Sequence, residues 1–166
     1  MDVFRIDIPE GEPASLRSRP MKTGKVAFNV YSFQPWQALS MHRHPGSDEI
    51  FYVIEGRCQF YVDREDRLIE RGNAVYVPSG SGHALLACEG GATIISVQGP
   101  QPVMSIYGNL EYFCPNCGLE TPLPRGTATG DTRTCPRCKI KVKLTEAGAA
   151  FDAEPAETEP GKEARA

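Results

Sequence analysis

The fold is decided by residues 41–56, which read MHRHPGSDEIFYVIEG. His42 and His44 stand two residues apart, so on a β-strand both imidazoles point to the same face. A Pro-Gly-Ser-Asp turn follows, after which Glu49 can return to that face. His83, the last of three histidines in the chain, follows a glycine-rich turn and begins another apolar run. Three imidazoles and one carboxylate form a donor set that suits a transition metal ion.

The sequence around this stretch alternates between short apolar runs and turns over residues 25–104. No long helical pattern intervenes, and the 16 Gly and 14 Pro of the chain favour turns. This spacing predicts an all-β fold, a small antiparallel β-barrel or jelly roll. We expect strands at residues 26–33, 49–54, 58–62, 74–77, 83–87 and 92–97.

The two histidine segments resemble the two motifs of the cupin superfamily. The first motif, G-x5-H-x-H-x4-E-x6-G, is matched at His42, His44, Glu49 and Gly56. The second motif, G-x5-P-x-G-x2-H-x3-N, is matched at Gly72, Pro78, Gly80 and His83. The resemblance implies a two-motif, single-barrel cupin whose metal ligands are His42, His44, Glu49 and His83.

Two positions depart from the motifs, because Trp36 replaces the first Gly and Ala87 replaces the final Asn. Neither position supplies a ligand in the family, so the resemblance implies an intact mononuclear site with open positions for substrate or oxygen. We expect Fe(II), since redox chemistry is common among small single-barrel cupins, while Mn, Ni, Cu or Zn suit the same ligands. A metal-free barrel is the alternative, and it leaves unexplained why every histidine occupies a ligand position.

The walls of the cavity follow from strand alternation. If Glu49 and His83 point inward, the residues at the same parity point inward as well. These residues are Phe51, Val53, Leu85 and Ala87. Such a cavity is mostly apolar and fits a small aromatic or acyl substrate better than a sugar. Arg57, Gln59 and Tyr61 are interpreted as exposed strand residues, the alternative being that one of them reaches around the rim and binds a carboxylate.

A second unit is marked by cysteine spacing within residues 110–145. Two C-P-x-C knuckles, separated by 17 residues, contain Cys114, Cys117, Cys135 and Cys138. This spacing predicts a structural four-thiolate zinc site, and the unit resembles a zinc ribbon and, more distantly, rubredoxin, which holds iron. Disulfides or a redox-active dithiol are the alternatives. Cys58 and Cys88 have no partner at this spacing and are interpreted as buried small apolar residues.

The ends of the chain have a different composition. Residues 1–24 predict an irregular lead-in, and residues 146–166 an acidic, disordered tail. The tail carries six acidic and two basic side chains, so the rest of the chain has a charge of +1 and predicts no polyanionic partner. Lysines alternate with apolar residues at 139–144, which predicts one half-buried strand whose lysines protect a sheet edge from pairing. No aromatic residues are interleaved with the lysines, which does not favour nucleic-acid binding.

These observations favour a metal-dependent cupin, a mononuclear non-heme iron(II) dioxygenase acting on a small, aromatic organic molecule. The fusion of a small cupin to a four-cysteine unit resembles the layout of the bacterial 3-hydroxyanthranilate 3,4-dioxygenase family. The alternative is a non-catalytic, metal-containing cupin that binds a small molecule, with the ribbon as a protein-interaction module. A zinc isomerase acting on sugars fits the ligands but not an apolar cavity. The resemblance to cupins implies a homodimer, and with no membrane-spanning run or secretion signal we expect a cytoplasmic location.

Overall fold

The computed structural model describes residues 3, 5, 16–100, 103–108, 111–147 and 150–156. Within these residues the chain forms β-strands and no helix, which confirms the all-β prediction. Accordingly, no helix in the described ranges is long and apolar enough to cross a membrane. The strands of the barrel are β1 (Leu16–Lys22), β2 (Ala27–Phe33), β3 (Ala38–Arg43), β4 (Asp48–Val62), β5 (Glu65–Glu70), β6 (Ala74–Val77), β7 (His83–Gly99) and β8 (Ile106–Tyr107).

The barrel is built on two long strands, β4 and β7, which pair with each other over nearly their whole length. The first half of β4 pairs with β6 and its second half with β5. Likewise β7 pairs with β3 through its first half and with β2 through its second half. The two halves of the β4–β7 ribbon therefore belong to two sheets, β1-β2-β7-β4-β6 and β8-β3-β7-β4-β5, which together enclose the interior.

Glycines create the bend that divides β4 and β7 between the two sheets. Gly56 of β4 and Gly91 of β7 both have positive φ, 75° and 72°, and Gly56 pairs with Ala92, the residue next to Gly91. A Cβ on Gly56 would lie 2.2 Å from the carbonyl oxygen of Gly91. Because of this continuous bend, the runs expected as separate strands at 49–54 and 58–62, and at 83–87 and 92–97, are single strands.

The four-cysteine unit forms a second sheet at the end of the chain. Its strands are β9 (Glu111–Phe113), β10 (Glu120–Pro122), β11 (Thr132–Thr134), β12 (Lys141–Ala147) and β13 (Ala150–Pro155). They lie in the order β10-β9-β13-β12-β11, with β13 parallel to β9 and antiparallel to β12. We refer to residues 111–156 as the four-cysteine unit.

Both ends of the chain are more ordered than their composition indicates. The prediction of an irregular lead-in is wrong for β1, which pairs with β2 at the sheet edge. The prediction of a disordered tail is wrong for residues 150–155, because β13 is bonded on both sides, to β12 and to β9. Backbone hydrogen bonds to two neighbouring strands order this segment regardless of its composition. Residues 157–166, and Phe4, Ile6 and Ile8 in the lead-in, lie outside the described residues.

The four-cysteine unit packs against the outer face of the barrel. Met41, Tyr61 and Leu86 of the barrel share one buried cluster with Leu123 and Leu144 of the unit. The unit therefore shares an apolar core with the barrel instead of depending on metal alone. Lys141 and Lys143 are exposed on β12 while Val142 and Leu144 are buried, which confirms the predicted half-buried strand. However, β12 lies between β11 and β13, so it is not the edge strand that we expected.

Trp36 adopts the backbone conformation of the motif glycine that it replaces. Its φ is 66°, in the left-handed region where glycine is usual. The indole packs against the cluster shared by the barrel and the four-cysteine unit. The turn of the first motif is thus preserved, and the larger side chain contributes to the contact between the two units.

Candidate metal centre

The four side chains predicted as ligands are brought together at one end of the barrel interior. His42 lies on β3 directly opposite His83, the first residue of β7. The turn after β3 is closed by a hydrogen bond from the Ser47 amide to the His44 carbonyl, and it returns the chain so that Glu49 on β4 faces the histidines. We call His42, His44, Glu49 and His83 the barrel site.

The barrel site is compact and shielded from solvent. One potential ligand atom from each residue lies within 4.8 Å of the other three. The four residues are only 1–5% exposed. Oε2 of Glu49 lies 3.0 Å from Nε2 of His44 and 3.1 Å from Nε2 of His83.

Each histidine ring is oriented by a backbone carbonyl on its outer side. Nδ1 of His42 donates to the Ser40 carbonyl at 2.8 Å. Nδ1 of His44 donates to the Met104 carbonyl at 3.0 Å, and Nδ1 of His83 to the Ser81 carbonyl at 3.2 Å. Since a carbonyl only accepts, these contacts place the hydrogen on Nδ1 and leave Nε2 of a neutral ring with a free lone pair aimed at the centre. Metal-ligating histidines are commonly fixed in this way.

The ionisation of the site matches this arrangement. Burial and the neighbouring His83 lower the pKa of His42 to about 4, so the ring is neutral at pH 7. Burial raises the pKa of Glu49, but the polar groups around its carboxyl, His44 and His83 first and then Gln98, outweigh burial and lower the pKa to about 2, so the carboxyl group is ionised. Neutral imidazole and ionised carboxylate are the forms that bind metal.

The contacts at the centre call for a cation. The Nδ1 hydrogens of His44 and His83 bond backbone carbonyls, so Nε2 of each neutral ring carries a lone pair and no hydrogen. A lone pair and a carboxylate oxygen repel each other, so Nε2 can lie this close to Glu49 only if a second proton or a metal ion lies between them. Several imidazolium rings side by side in a buried site would repel one another. Oε1 of Glu49 is also buried without a hydrogen-bond partner among the described residues. A divalent transition metal ion would satisfy all of these atoms together, so the residues present fit such an ion.

The surroundings of the site confirm the predicted strand parity. Phe51, Val53, Leu85 and Ala87 are all fully buried in the interior cluster of the barrel. Phe51 meets the His83 ring edge-on, with ring centroids 5.6 Å apart. By contrast, Gln59 turns outward and donates to Asp66. The prediction that Tyr61 is exposed is wrong, because its side chain is buried under the four-cysteine unit. Neither residue reaches the barrel site. Arg57 is exposed on the outside of β4.

Sequence reasoning missed a row of polar side chains beside Glu49. Gln98 is 2% exposed and its amide nitrogen lies 3.1 Å from Nε2 of His44, while its Oε1 has no partner in the described part of the chain. Next to it, Asn29 donates to the hydroxyl of Ser96, and both are buried. The parity that identifies Phe51 would also have identified Gln98 had the last strand been extended beyond residue 97.

The segment 103–108 was also missed as part of the site. Its β8 pairs with β3, and the Tyr107 ring stacks on the His42 ring with centroids 5.5 Å apart. The Met104 carbonyl in this segment orients His44, as described above. A backbone acceptor leaves no signal in the sequence, which explains why this contact could not be predicted.

The four cysteines of the second unit also converge. The Sγ atoms of Cys114 and Cys138 are 3.6 Å apart, and those of Cys117 and Cys135 are 3.7 Å apart. These distances are too long for disulfides and match the edges, about 3.8 Å, of a tetrahedron with zinc–sulfur bonds of about 2.3 Å. The thiols are free, which argues against the disulfide alternative.

The two knuckles have the same backbone structure. The Cys114 amide donates to the Leu119 carbonyl and the Gly118 amide to the Cys114 carbonyl. In the second knuckle the Cys135 and Lys139 amides make the equivalent bonds. Hydrogen bonds to Cys138, chiefly from Asn116, lower the pKa of its thiol to about 6, whereas burial raises the pKa of Cys135 to about 12. Cys58 is fully buried in the barrel core, as expected, whereas Cys88 is only half-buried and lies outside that core cluster.

Comparison with known proteins identifies the barrel. The family model described as the cupin domain matches residues 29–97. An uncharacterized protein of Streptomyces coelicolor is 33% identical over 91 residues, which cover 50% of this chain and 81% of that protein. The oxalate-binding protein of Thermotoga maritima is 29% identical over 77 residues, 46% of this chain and 64% of that protein. The crystal structure of TT1209 from Thermus thermophilus is 27% identical with a TM-score of 0.51, covering 52% of this chain and 84% of that chain. Together with the fold and the barrel site, these matches show that the chain belongs to the cupin superfamily.

Proposed function

We propose that this chain is a metal-dependent cupin enzyme that oxidises a small, largely apolar organic molecule with dioxygen. The observation that carries the proposal is the donor set of the barrel site, in which three oriented Nε2 atoms and one ionised carboxylate converge in a buried space. Fe(II) is the proposed ion, and when bound it would supply one-electron redox chemistry and Lewis acidity.

The residues of the chain would contribute binding, orientation and exclusion of water. Glu49 would balance part of the charge of the ion, and the carbonyls of Ser40, Ser81 and Met104 would hold the three rings in a fixed orientation. Phe51 closes one side of His83, so substrate bound there would lie against an aromatic wall. This wall supports an aromatic or acyl substrate.

Gln98 is placed to interact with a polar atom of a bound substrate. It is buried beside His44 and has one amide oxygen without a partner in the described residues. The amide oxygen of Gln98 can accept a hydrogen bond from a substrate. The amide nitrogen can donate one to a substrate when it is not bonded to Nε2 of His44. The buried polar row of Asn29, Ser96 and Gln98 also makes the interior less uniformly apolar than expected, so a sugar isomerase stays among the activities to be tested.

The test is anaerobic reconstitution with Fe(II), followed by oxygen-uptake measurements with a panel of catechols, aminophenols and aryl carboxylates. We expect substrate-dependent uptake that is lost in His83→Ala and absent from the Zn(II)-loaded chain. A sugar-phosphate and a free aldose serve as isomerase controls. If a chain with one iron per barrel consumes no oxygen with any of the panel, the oxidative proposal fails.

The second candidate is a non-catalytic cupin that binds a small molecule through its metal. The near-complete burial of the barrel site favours it, and one relative is named for oxalate binding. It predicts that a ligand raises the melting temperature without turnover. The idea that the ribbon is mainly a docking module is less supported, because much of its apolar surface already packs on the barrel.

For the four-cysteine site we propose one structural zinc ion. The two knuckles have the same backbone hydrogen bonds, and the sulfur–sulfur distances fit a tetrahedron. Both observations support a closed tetrahedral site with no open position. Iron suits the same four thiolates, and elemental analysis distinguishes the two metals. The free thiols support a reducing compartment, and we propose the cytoplasm.

We also propose a homodimer formed through the outer face of the sheet that carries β6. Ile50 pairs with Val97 and with Tyr76 across neighbouring strands, and these side chains are 37–58% exposed. The outer face of the other sheet is already covered by the four-cysteine unit. Light scattering on the wild type and on Tyr76→Glu measures the molar mass in solution and so tests the dimer, and a monomeric wild type would contradict it.

We propose no nucleic-acid partner.

A further inference from the structure

A cleft of about 880 Å³ opens between the edge strands β5 and β6 of the barrel. Each of these strands pairs only with β4 within the described sheet, so the barrel is open along their free edges. The inner part of the cleft is apolar and includes Phe60, Ile69 and Val75. Phe60 contacts Phe51 with ring centroids 5.0 Å apart, and Phe51 in turn contacts His83 of the barrel site. Two aromatic rings in contact, Phe60 and Phe51, therefore link the floor of the cleft to His83 of the barrel site.

The rim of the cleft carries three arginines and two carboxylates, so it has an excess of positive charge. Arg64, Arg67 and Arg125 line it together with Asp63 and Glu65. Arg67 pairs with Glu65 at 3.2 Å, and an Asp63 carboxylate oxygen accepts the Gly82 amide at 3.0 Å. Arg64 and Arg125 form no ion pair within the described parts of the chain. Two unpaired guanidinium groups above an apolar floor are complementary to a molecule with an apolar body and a carboxylate.

Arg125 comes from the four-cysteine unit, not from the barrel. Its backbone amide donates to the Asp63 carbonyl, and the Asp63 amide donates to the Gly82 carbonyl at 2.7 Å. Gly82 directly precedes the ligand His83. The neighbouring Gly126 also lies against the Arg64 side chain, since a Cβ there would be 3.3 Å from Nε of Arg64. The contacts between the four-cysteine unit and the barrel thus hold the backbone of Arg125 in a fixed position at the cleft.

Arg125 borders a second cavity as well. This smaller cavity, of about 220 Å³, is lined by His42, Tyr107 and Gly82 in addition to Arg125. Arg125 therefore borders both the large cleft and a cavity that includes His42 of the barrel site. No other residue lines both among those described.

We propose that the cleft binds a small organic carboxylate with an apolar body, and that Arg125 of the four-cysteine unit, assisted by Arg64, binds its carboxylate. This names the substrate class of the barrel site and so rests on the proposed function. It also gives the four-cysteine unit a direct part in substrate binding. The planar guanidinium group bonds both oxygens of a carboxylate, which a neutral isostere cannot reproduce.

The test measures binding of 4-fluorobenzoate to the full-length, Zn(II)-loaded chain by fluorine NMR, with 4-fluorobenzamide as the neutral control. We expect the carboxylate to bind more tightly than the amide. Arg125→Ala should raise the Kd about tenfold or more, as for loss of one charge-assisted hydrogen bond, and Arg125→Lys should restore part of the affinity. Arg57→Ala removes the same charge from outside the cleft and should leave the Kd unchanged.

The same titration in His83→Ala separates this inference from the proposed function. Binding that persists there and still depends on Arg125 supports the cleft, even if the oxygen-uptake test fails. Binding that disappears in His83→Ala but is indifferent to Arg125 means direct contact between carboxylate and metal, and overturns the inference. Arg64→Ala provides a second variant within the barrel in case Arg125→Ala undocks the four-cysteine unit, which is checked by metal content and melting temperature. Equal Kd values for wild type and all arginine variants also overturn it.

Discussion

Two motif glycines with positive φ differ in their surroundings, and this difference gives a sharp prediction. Gly56 has a φ of 75° and Gly72 a φ of 90°. A Cβ on Gly56 would lie 2.2 Å from the Gly91 carbonyl oxygen, whereas a Cβ on Gly72 meets nothing within 4 Å. Alanine at either position incurs the left-handed backbone cost of about 1–2 kcal/mol. Only Gly56→Ala must also displace the opposite strand, which we set at about 1–3 kcal/mol, the cost typical of overpacking.

The free energy of unfolding should therefore fall by about 1–3 kcal/mol more in Gly56→Ala than in Gly72→Ala. Urea unfolding of the metal-loaded chain measures this difference. Trp36 is the single tryptophan and packs where the barrel meets the four-cysteine unit, so its fluorescence reports the transition. Gly72→Ala is the matched control, since it shares the backbone cost and the change in the unfolded chain. If the two variants lose the same stability, the close approach of β4 and β7 is not the reason for glycine at position 56.

Three further results are expected. Elemental analysis of Cys138→Ser should find one metal ion fewer per chain, lost from the four-cysteine site. The same analysis of His83→Ala should also find one ion fewer, lost from the barrel site. Loss of both ions in either variant would contradict the independence of the two sites. Leu144 is fully buried where β12 packs on the barrel, so Leu144→Ala should lower the free energy of unfolding by about 2–5 kcal/mol. The control Lys143→Ala, at the exposed neighbouring position, should change the free energy of unfolding little. Equal losses in the two variants would show that the Leu144 face of β12 is not packed. Burial and the adjacent Glu120 raise the pKa of Glu111, so stability from this group is present at low pH and is lost as pH rises through the raised value. Glu111→Gln should therefore raise the urea midpoint slightly at pH 7 and not at pH 4, and a gain of equal size at both pH values would refute this sign.

The ligand residues of the barrel site could be predicted because their positions depend on local rules. Strand alternation places His42 and His44 on one face, and the turn after them returns Glu49 to it. The same parity predicted the buried wall formed by Phe51 and Leu85. Knuckle spacing likewise located all four cysteines of the second unit.

The features that escaped prediction depend on contacts between distant segments. β13 is ordered by backbone bonds to β9 and β12, which its Ala- and Glu-rich composition does not reveal. The docking of the four-cysteine unit on the barrel depends on the outward faces of Met41, Tyr61 and Leu86, and the sequence shows only that these are apolar. Arg125 stands in a loop with no motif, so only the docked structure brings it to the cleft.

The hydrogen bond from His44 to the Met104 carbonyl has a consequence for dissecting this protein. The segment that joins the two units is also what keeps one imidazole of the barrel site from rotating. A chain cut after residue 103 would retain all four donor side chains, yet His44 would lose the acceptor that selects its tautomer. An isolated barrel should consequently bind its ion more weakly than the intact protein, although no ligand has been removed.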